Sequence, residues 1–128
     1  MNTLTTHGIT ISVESFYQAS ESMPSSGRYI FSYRVTIKNN GDTQVQLLRR
    51  KWLIQNGFGD RHIVEGEGVI GKQPIISPGE AYSYHSWCPL GSPIGRMQGF
   101  YQMKRPYEVK PFNAFIPAFT LVAPLLNN

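Results

Sequence analysis

From Tyr29 to Lys38 the chain alternates, with Ile30 the one exception. Tyr29, Phe31, Tyr33, Val35 and Ile37 are apolar or aromatic, and Ser32, Arg34, Thr36 and Lys38 stand between them. A repeat of two belongs to a strand with one face on a core and the other in water. A strand of this length is antiparallel and needs a second apolar layer to cover its dry face. The same repeat recurs upstream, where Ile9, Ile11 and Val13 oppose Thr10, Ser12 and Glu14, and the strand continues to about Tyr17. The polar stretch Ser20 to Gly27, with Pro24, reads as a loop. Residues 1–7 are polar and are expected to fray.

Downstream the pattern continues in short pieces. Asn39-Asn40-Gly41-Asp42 offers residues that tolerate positive φ and is expected to turn. The strand from about Gln44 to Gln55 alternates less cleanly: Leu47 and Leu48 are adjacent, Arg50 shares a face with Leu48, Trp52 and Ile54, and a bulge near Leu48 would resolve this. Asn56 to Asp60 turns into a short strand, Arg61 to Glu65, and Pro74 to Gly79 forms an extended arm and a turn. Ala81 to Trp87, Gly95 to Lys104 and Phe112 to Ala123 are the remaining strands, with a loop over Pro89 to Gly95 and Pro117 at a bulge or edge. No window carries a helical stripe. Seven or so strands in one domain of 128 residues, with an ordered core over about 8–124, predict an all-β sandwich of immunoglobulin or fibronectin type III kind. An open barrel is the alternative.

The run Gly66-Glu67-Gly68-Val69-Ile70-Gly71 fits G-x-G-x-x-G, and with Lys72 it nearly completes a phosphate loop. Either motif works only when a helix starts at the last glycine and turns its N–H groups to the phosphate. Pro74 and Pro78 leave no room for one, and Gln73 stands where a metal-holding hydroxyl belongs. The glycines are therefore expected to serve the fold. The alternative is an anion or ligand loop of Gly66, Gly68, Gly71 and Lys72, assisted by Arg61, in which turn N–H groups form a nest.

Arg50 points away from Arg49 and Lys51 in a strand, so the three make no joint basic patch. It is expected to lie against an aromatic ring or to pair with Glu65 or Glu67. Trp52 is expected in the core. Trp52, Trp87, Phe100 and Tyr101 would anchor an interface if they surfaced together. His62-x-x-Glu65-x-Glu67 and His85-x-x-Cys88 place their ends on opposite strand faces, so neither is a natural chelate and no metal residues are assigned. No catalytic set is suggested, which argues against a hydrolase. One cysteine excludes an internal disulfide, and no apolar run is long enough to span a bilayer. With no signal segment at the N-terminus, a cytoplasmic location follows by default. The net charge of +4 is no nucleic-acid signature by itself.

The pattern Leu47-Leu48-x-Arg50-x-Trp52-x-Ile54, followed by Val64-x-Gly66-x-Gly68-Val69-x-Gly71-x-x-Pro74-x-x-x-Pro78-Gly79, resembles the ApaG family. Tyr84-x-Ser86, Pro93-x-Gly95-x-Met97-x-Gly99-x-Tyr101-x-Met103 and Ile116-Pro117-x-Phe119-x-Leu121 extend the likeness over nearly the whole chain. The resemblance implies a fibronectin type III-like sandwich. It also brings a link to cobalt resistance and magnesium efflux, and related domains that look like protein-interaction modules. The turn Lys104-Arg105-Pro106-Tyr107 departs from the family, where it is often acidic, so a cation contact at that turn is not carried over. The expectation is a non-enzymatic bacterial binding module with a protein partner, no membrane insertion, no nucleic acid and no resident cofactor; its oligomeric state is open. The alternative is a small-ligand protein holding a phosphate compound or divalent cation near Gly66–Gly71.

Overall fold

A computed structural model describes residues 1–124; the last four positions of the domain expected over 1–128 lie outside the described residues. Nine strands are present among them: β1 (Asn2–Thr6), β2 (Ile9–Tyr17), β3 (Tyr29–Asn39), β4 (Val45–Asn56), β5 (Arg61–Glu67), β6 (Ile75–Ile76), β7 (Ala81–Leu90), β8 (Ile94–Lys104) and β9 (Phe112–Val122). They form two antiparallel sheets, β1-β2-β3-β7 and β5-β4-β8-β9, with β6 added on β4. The fold is the expected all-β sandwich, not a barrel.

The alternation in β3 does what it dictates. Phe31, Tyr33, Val35 and Ile37 are buried, and β3 lies between β2 and β7 inside the first sheet. Ile9, Ile11 and Val13 of β2 share that face, and Leu47, Trp52, Met97, Tyr101, Met103 and Leu121 meet them from the second sheet. The β4–β8 register shifts between Leu47 and Arg49. The bulge changes which parity faces inward, and Leu47, not Leu48, takes the core position before it. A second shift, opposite Pro117, lets β9 keep Ile116 and Phe119 both buried.

Four expectations are corrected. Residues 1–7 do not fray: β1 pairs with β2 through a two-residue turn, His7-Gly8, both at positive φ. Hydroxyls join them across the outer face, Thr3 to Ser12 at 3.1 Å and Thr5 to Thr10 at 2.8 Å. Asn39 to Asp42 adopts no positive φ, because β3 and β4 lie in different sheets and the chain crosses between them. Asn39 is fully buried there; its amide donates to the carbonyls of Thr43 and Ile76 and accepts from Gly41 N–H. β7 runs on through Cys88, Pro89 and Leu90, so the expected loop shrinks to Gly91–Pro93. Pro89 fits because β7 is an edge strand. The extended arm contains a short strand, β6, whose Ile76 is buried opposite Val45.

The two sides of the sandwich differ. On one, β1 reaches across to β9: Asn2 Nδ2 donates to Ala118 O at 2.7 Å, and Phe115 N–H donates to Thr6 Oγ1 at 3.4 Å. Arg105 adds to this seam by donating to His7 O and covering the Phe112 ring at 4.3 Å. On the other side the sheets end in β5 and β7, each bonded along one edge only.

Candidate functional site

Because β5 and β7 are not joined, the open side holds a cleft of about 410 Å³. Ile54 and Val64 form its wall on the second sheet, and Cys88 and Leu90 on the first. These are inward positions of their strands; Cys88 and Leu90 are buried, and the missing seam leaves Ile54 and Val64 only partly covered. Asp60, Arg61 and His62 form one rim; Trp87 and Pro89 form the other. Trp87 points outward from β7 and is 58 % exposed. The cleft thus has an apolar floor, polar ends and a large exposed ring at its lip, flanked by two strand edges with unpaired main-chain groups. Such a combination suits an extended chain or an apolar side chain entering between sheets.

Cys88 is poorly placed to act as a nucleophile. Burial pushes its thiol pKa up to about 11, and His85, three residues earlier, faces solvent on the opposite side of β7.

Deeper in, between the sheets, lies a polar knot. Tyr84 of the first sheet and Tyr101 of the second share a hydroxyl–hydroxyl hydrogen bond. The Trp52 ring packs against Tyr33 at 5.3 Å, Phe119 at 6.0 Å and Tyr101 at 6.4 Å. Desolvation raises the pKa of Tyr33, Tyr84 and Tyr101, and the positive charge of Arg50 works against that rise in each case. Arg50 does not pair with Glu65 or Glu67 side chains as expected. Its Nη1 donates to the main-chain carbonyls of Glu67 at 3.1 Å and Gly68 at 3.0 Å. The guanidinium lies over Gly66, where an added Cβ would sit 3.2 Å from Nη1. Arg50 therefore joins the tyrosine knot to the glycine run.

The glycine run opens no helix. β5 ends at Glu67, and Val69 to Lys72 close a tight hairpin turn: Val69 N–H donates to Lys72 O, and Lys72 N–H returns to Val69 O. Its central residues, Ile70 and Gly71, both have positive φ, 49° and 71°. Gly68 has φ 61°, and a Cβ there would lie 2.1 Å from the Lys72 carbonyl oxygen. The N–H groups of Gly68, Val69 and Lys72 all donate to main-chain carbonyls. Arg61 sits at the far end of β5, six residues or about 20 Å of strand from Glu67, so it does not join Lys72 at the loop.

The aromatic candidates separate. Trp52 and Tyr101 are in the core, 2 % and 0 % exposed, so they anchor no surface. Trp87 is exposed on the first sheet, while Phe100 lies on the outer face of the second. The residues that sequence reasoning missed are the cleft walls Ile54, Val64 and Leu90. Each reads as ordinary core; the absence of a strand between β5 and β7 leaves Ile54 and Val64 partly exposed and puts the buried Leu90 at the cleft wall. Among the described residues no three His, Cys, Asp or Glu side chains gather in a way that could hold a metal ion.

A two-sheet sandwich closed by β1 along one side and open along the other, with a tight glycine hairpin held by an inward arginine, defines a small β-sandwich domain rather than a nucleotide-binding fold. The ApaG domain profile matches residues 19–105. The chain is 49 % identical over 121 residues to Protein ApaG of Methylorubrum populi, covering 94 % of this chain and 92 % of that one. It is 48 % identical over 118 residues to Protein ApaG of Escherichia coli strain K12/DH10B, covering 92 % and 94 %. Among solved structures it matches the ApaA protein of Bordetella pertussis at a TM-score of 0.87 and 40 % identity, covering 91 % of this chain and 94 % of that one. The chain belongs to the ApaG family.

Proposed function

We propose that this chain is a non-enzymatic, cytoplasmic binding module that takes up another protein in the cleft between β5 and β7. The observation that supports the reading is the cleft itself, an apolar floor between two unpaired strand edges with Trp87 exposed at its lip. Edge strands offer main-chain hydrogen bonds to an incoming extended segment, and the floor offers apolar contact for its alternate side chains. The charged residues of β5, Arg61, Glu65 and Glu67, suit an edge that discourages indiscriminate pairing. No resident cofactor is needed for this role. The family's link to cobalt resistance and magnesium efflux is then an indirect one, through the partner.

Photo-cross-linking tests the reading. A benzoylphenylalanine in place of His62 on β5, which lines the cleft, should give a discrete protein adduct in cells, and the same group in place of Thr36, further along the outer face of the first sheet, should not. Trp87→Ala should abolish the adduct and leave the melting temperature within about 1 °C. Adducts indifferent to Trp87 would exclude the cleft.

The alternative, a phosphate compound or divalent cation at Gly66–Gly71, has less support, because three of that turn's N–H groups are already engaged. Titration with ATP and pyrophosphate, with and without Mg²⁺, separates the two readings.

A further inference from the structure

The outer faces of the two sheets are chemically unlike. The first carries a hydroxyl ladder, with Thr36 bonded to Ser83 at 3.0 Å beside the Thr3–Ser12 and Thr5–Thr10 pairs. That is an ordinary wet face. The outer face of the second sheet gathers cations and rings from segments far apart in sequence. Arg49 and Lys51 of β4, Arg61 of β5, and Arg96 and Lys104 of β8 all point there, against only Glu65 and Glu67. The two carboxylates stand opposite Lys51 and Arg49. Arg61 and Arg96 both face Gln55, and Lys104 faces Gln46, so these three cations have no acidic cross-strand neighbour.

Between the cations lie two rings. Phe100 and Phe115 are direct cross-strand neighbours on β8 and β9, their centroids 6.1 Å apart at 68°. They border a shallow apolar hollow of about 450 Å³ with Leu4, Leu53 and Lys51. Leu53 and Gln98 also line an adjoining polar hollow of about 240 Å³ whose other walls are Arg61, Arg96 and Gln55. A ring site and a two-arginine site are therefore continuous across the sheet. Amides surround both, Gln98 and Asn113 exposed and Gln55 and Gln102 partly so.

Against the expectation from sequence of no nucleic acid, we propose that this face binds a short run of single-stranded RNA, with a base stacked at Phe100 and Phe115 and phosphates at Arg96, Arg61 and Lys104. Rings on a sheet with flanking cations are the elements of single-strand recognition, and amides supply hydrogen bonds to base edges and to the 2′-hydroxyl. An extended peptide is less well served here, because β4 and β8 are paired on both edges and offer no place for an added strand. Arg96 and Lys104 are eight residues apart on one strand, about 26 Å. That exceeds the reach of one base and its own phosphate, so the occupant is an oligomer and not a free nucleotide. The face shares only Arg61 with the cleft, and the proposal stands whether or not a protein binds there.

Fluorescence anisotropy with labelled rU12 tests it, beside dT12, a 12-base-pair duplex and a dodecamer of glutamate, in 50–200 mM KCl. The expected result is saturable binding of rU12, weaker binding of dT12, and little of the duplex or the peptide. Three phosphate contacts should give a salt slope near −2, and Arg96→Ala should reduce it by about 0.7. Phe100→Ala should weaken rU12 about tenfold or more without changing the slope, and Phe100→Trp should retain binding. Phe115→Ala, with its melting temperature checked, repeats the test on a more exposed ring. Loss of affinity that follows only the cations, with both phenylalanine variants unaffected, would reduce the face to general polyanion attraction and overturn the proposal. So would tighter binding of the glutamate peptide, equal binding of dT12, or no binding of rU12 at 100 μM protein.

Discussion

Three residues carry geometry that their side chains or lack of them decide. Gly68 sits at φ 61° with the Lys72 carbonyl 2.1 Å from where a Cβ would be. Gly68→Ala should cost well over the roughly 1 kcal/mol of a harmless change, read as a lowered denaturation midpoint in buffer alone. Gly99 faces Trp52 in the β4–β8 ladder, and its Cβ would strike the Lys51 carbonyl oxygen at 2.0 Å. Here the constraint is backbone proximity, not φ, and Gly99→Ala must push two strands apart. Ile70 is the opposite case, a β-branched residue at φ 49° that is 62 % exposed. Left-handed backbone costs such a residue about 1–2 kcal/mol, so Ile70→Asn should raise stability by about 1 kcal/mol. An unchanged or lower midpoint would mean that Ile70 makes a contact worth more than its strain. Trp52→Ala should cost about 3–5 kcal/mol, since three rings lose their packing partner.

At the scale of elements, the pairing of Tyr84 on β7 with Tyr101 on β8 couples the two sheets through buried hydroxyls. Both have folded pKa values raised by desolvation above the ordinary tyrosine value near 10. The folded state thus favours their neutral form. That contribution is fully present below pH ~10 and is lost as pH rises beyond it toward the folded values. Stability measured by urea denaturation should be flat in this respect to pH 9 and fall above pH ~10, by up to about 1.4 kcal/mol per pH unit for each hydroxyl. The double variant Tyr84→Phe/Tyr101→Phe should fall less steeply; an equal slope would place the alkaline sensitivity elsewhere. On the same strand, Cys88 is 2 % exposed with a pKa pushed up to about 11. It should resist a disulfide reagent at pH 8 until the chain is unfolded; rapid labelling of the native protein would show that the cleft opens to admit it.

For the whole molecule, the asymmetry between a sewn side and an open side positions both surfaces proposed to bind. β1 supplies the seam with β9, and the cleft exists because nothing equivalent joins β5 to β7. Removing residues 1–7 should therefore destabilise the sandwich, although they contribute few core side chains. A truncated chain with an unchanged melting temperature would show that the seam is incidental. The cleft lies between the sheets and the other surface on the outer face of the second, so they can be tested in a single protein with separate variants.

Period-two patterning over Ile9–Val13 and Tyr29–Ile37 was enough to determine an all-β sandwich, because alternation names the buried face without any knowledge of the partner strand. The misfit of Leu47-Leu48 announced a bulge, and Pro74 and Pro78 ruled out a helix after the glycines; both are local steric facts. The identity of β1 was not legible, since Asn2–Thr6 has no apolar alternation and is held by hydroxyls and a neighbouring strand. Nor was the parity at the bulge, which put Leu47 inside and Leu48 out. Which strands became edges depended on contacts between residues more than thirty positions apart, and that alone left Ile54 and Val64 partly exposed. The convergence of Arg61, Arg96 and Phe100 on one face arose the same way, from the register of β5, β4 and β8. Local chemistry fixed the type and facing of most strands; their order in space, and every surface that order creates, was decided by packing.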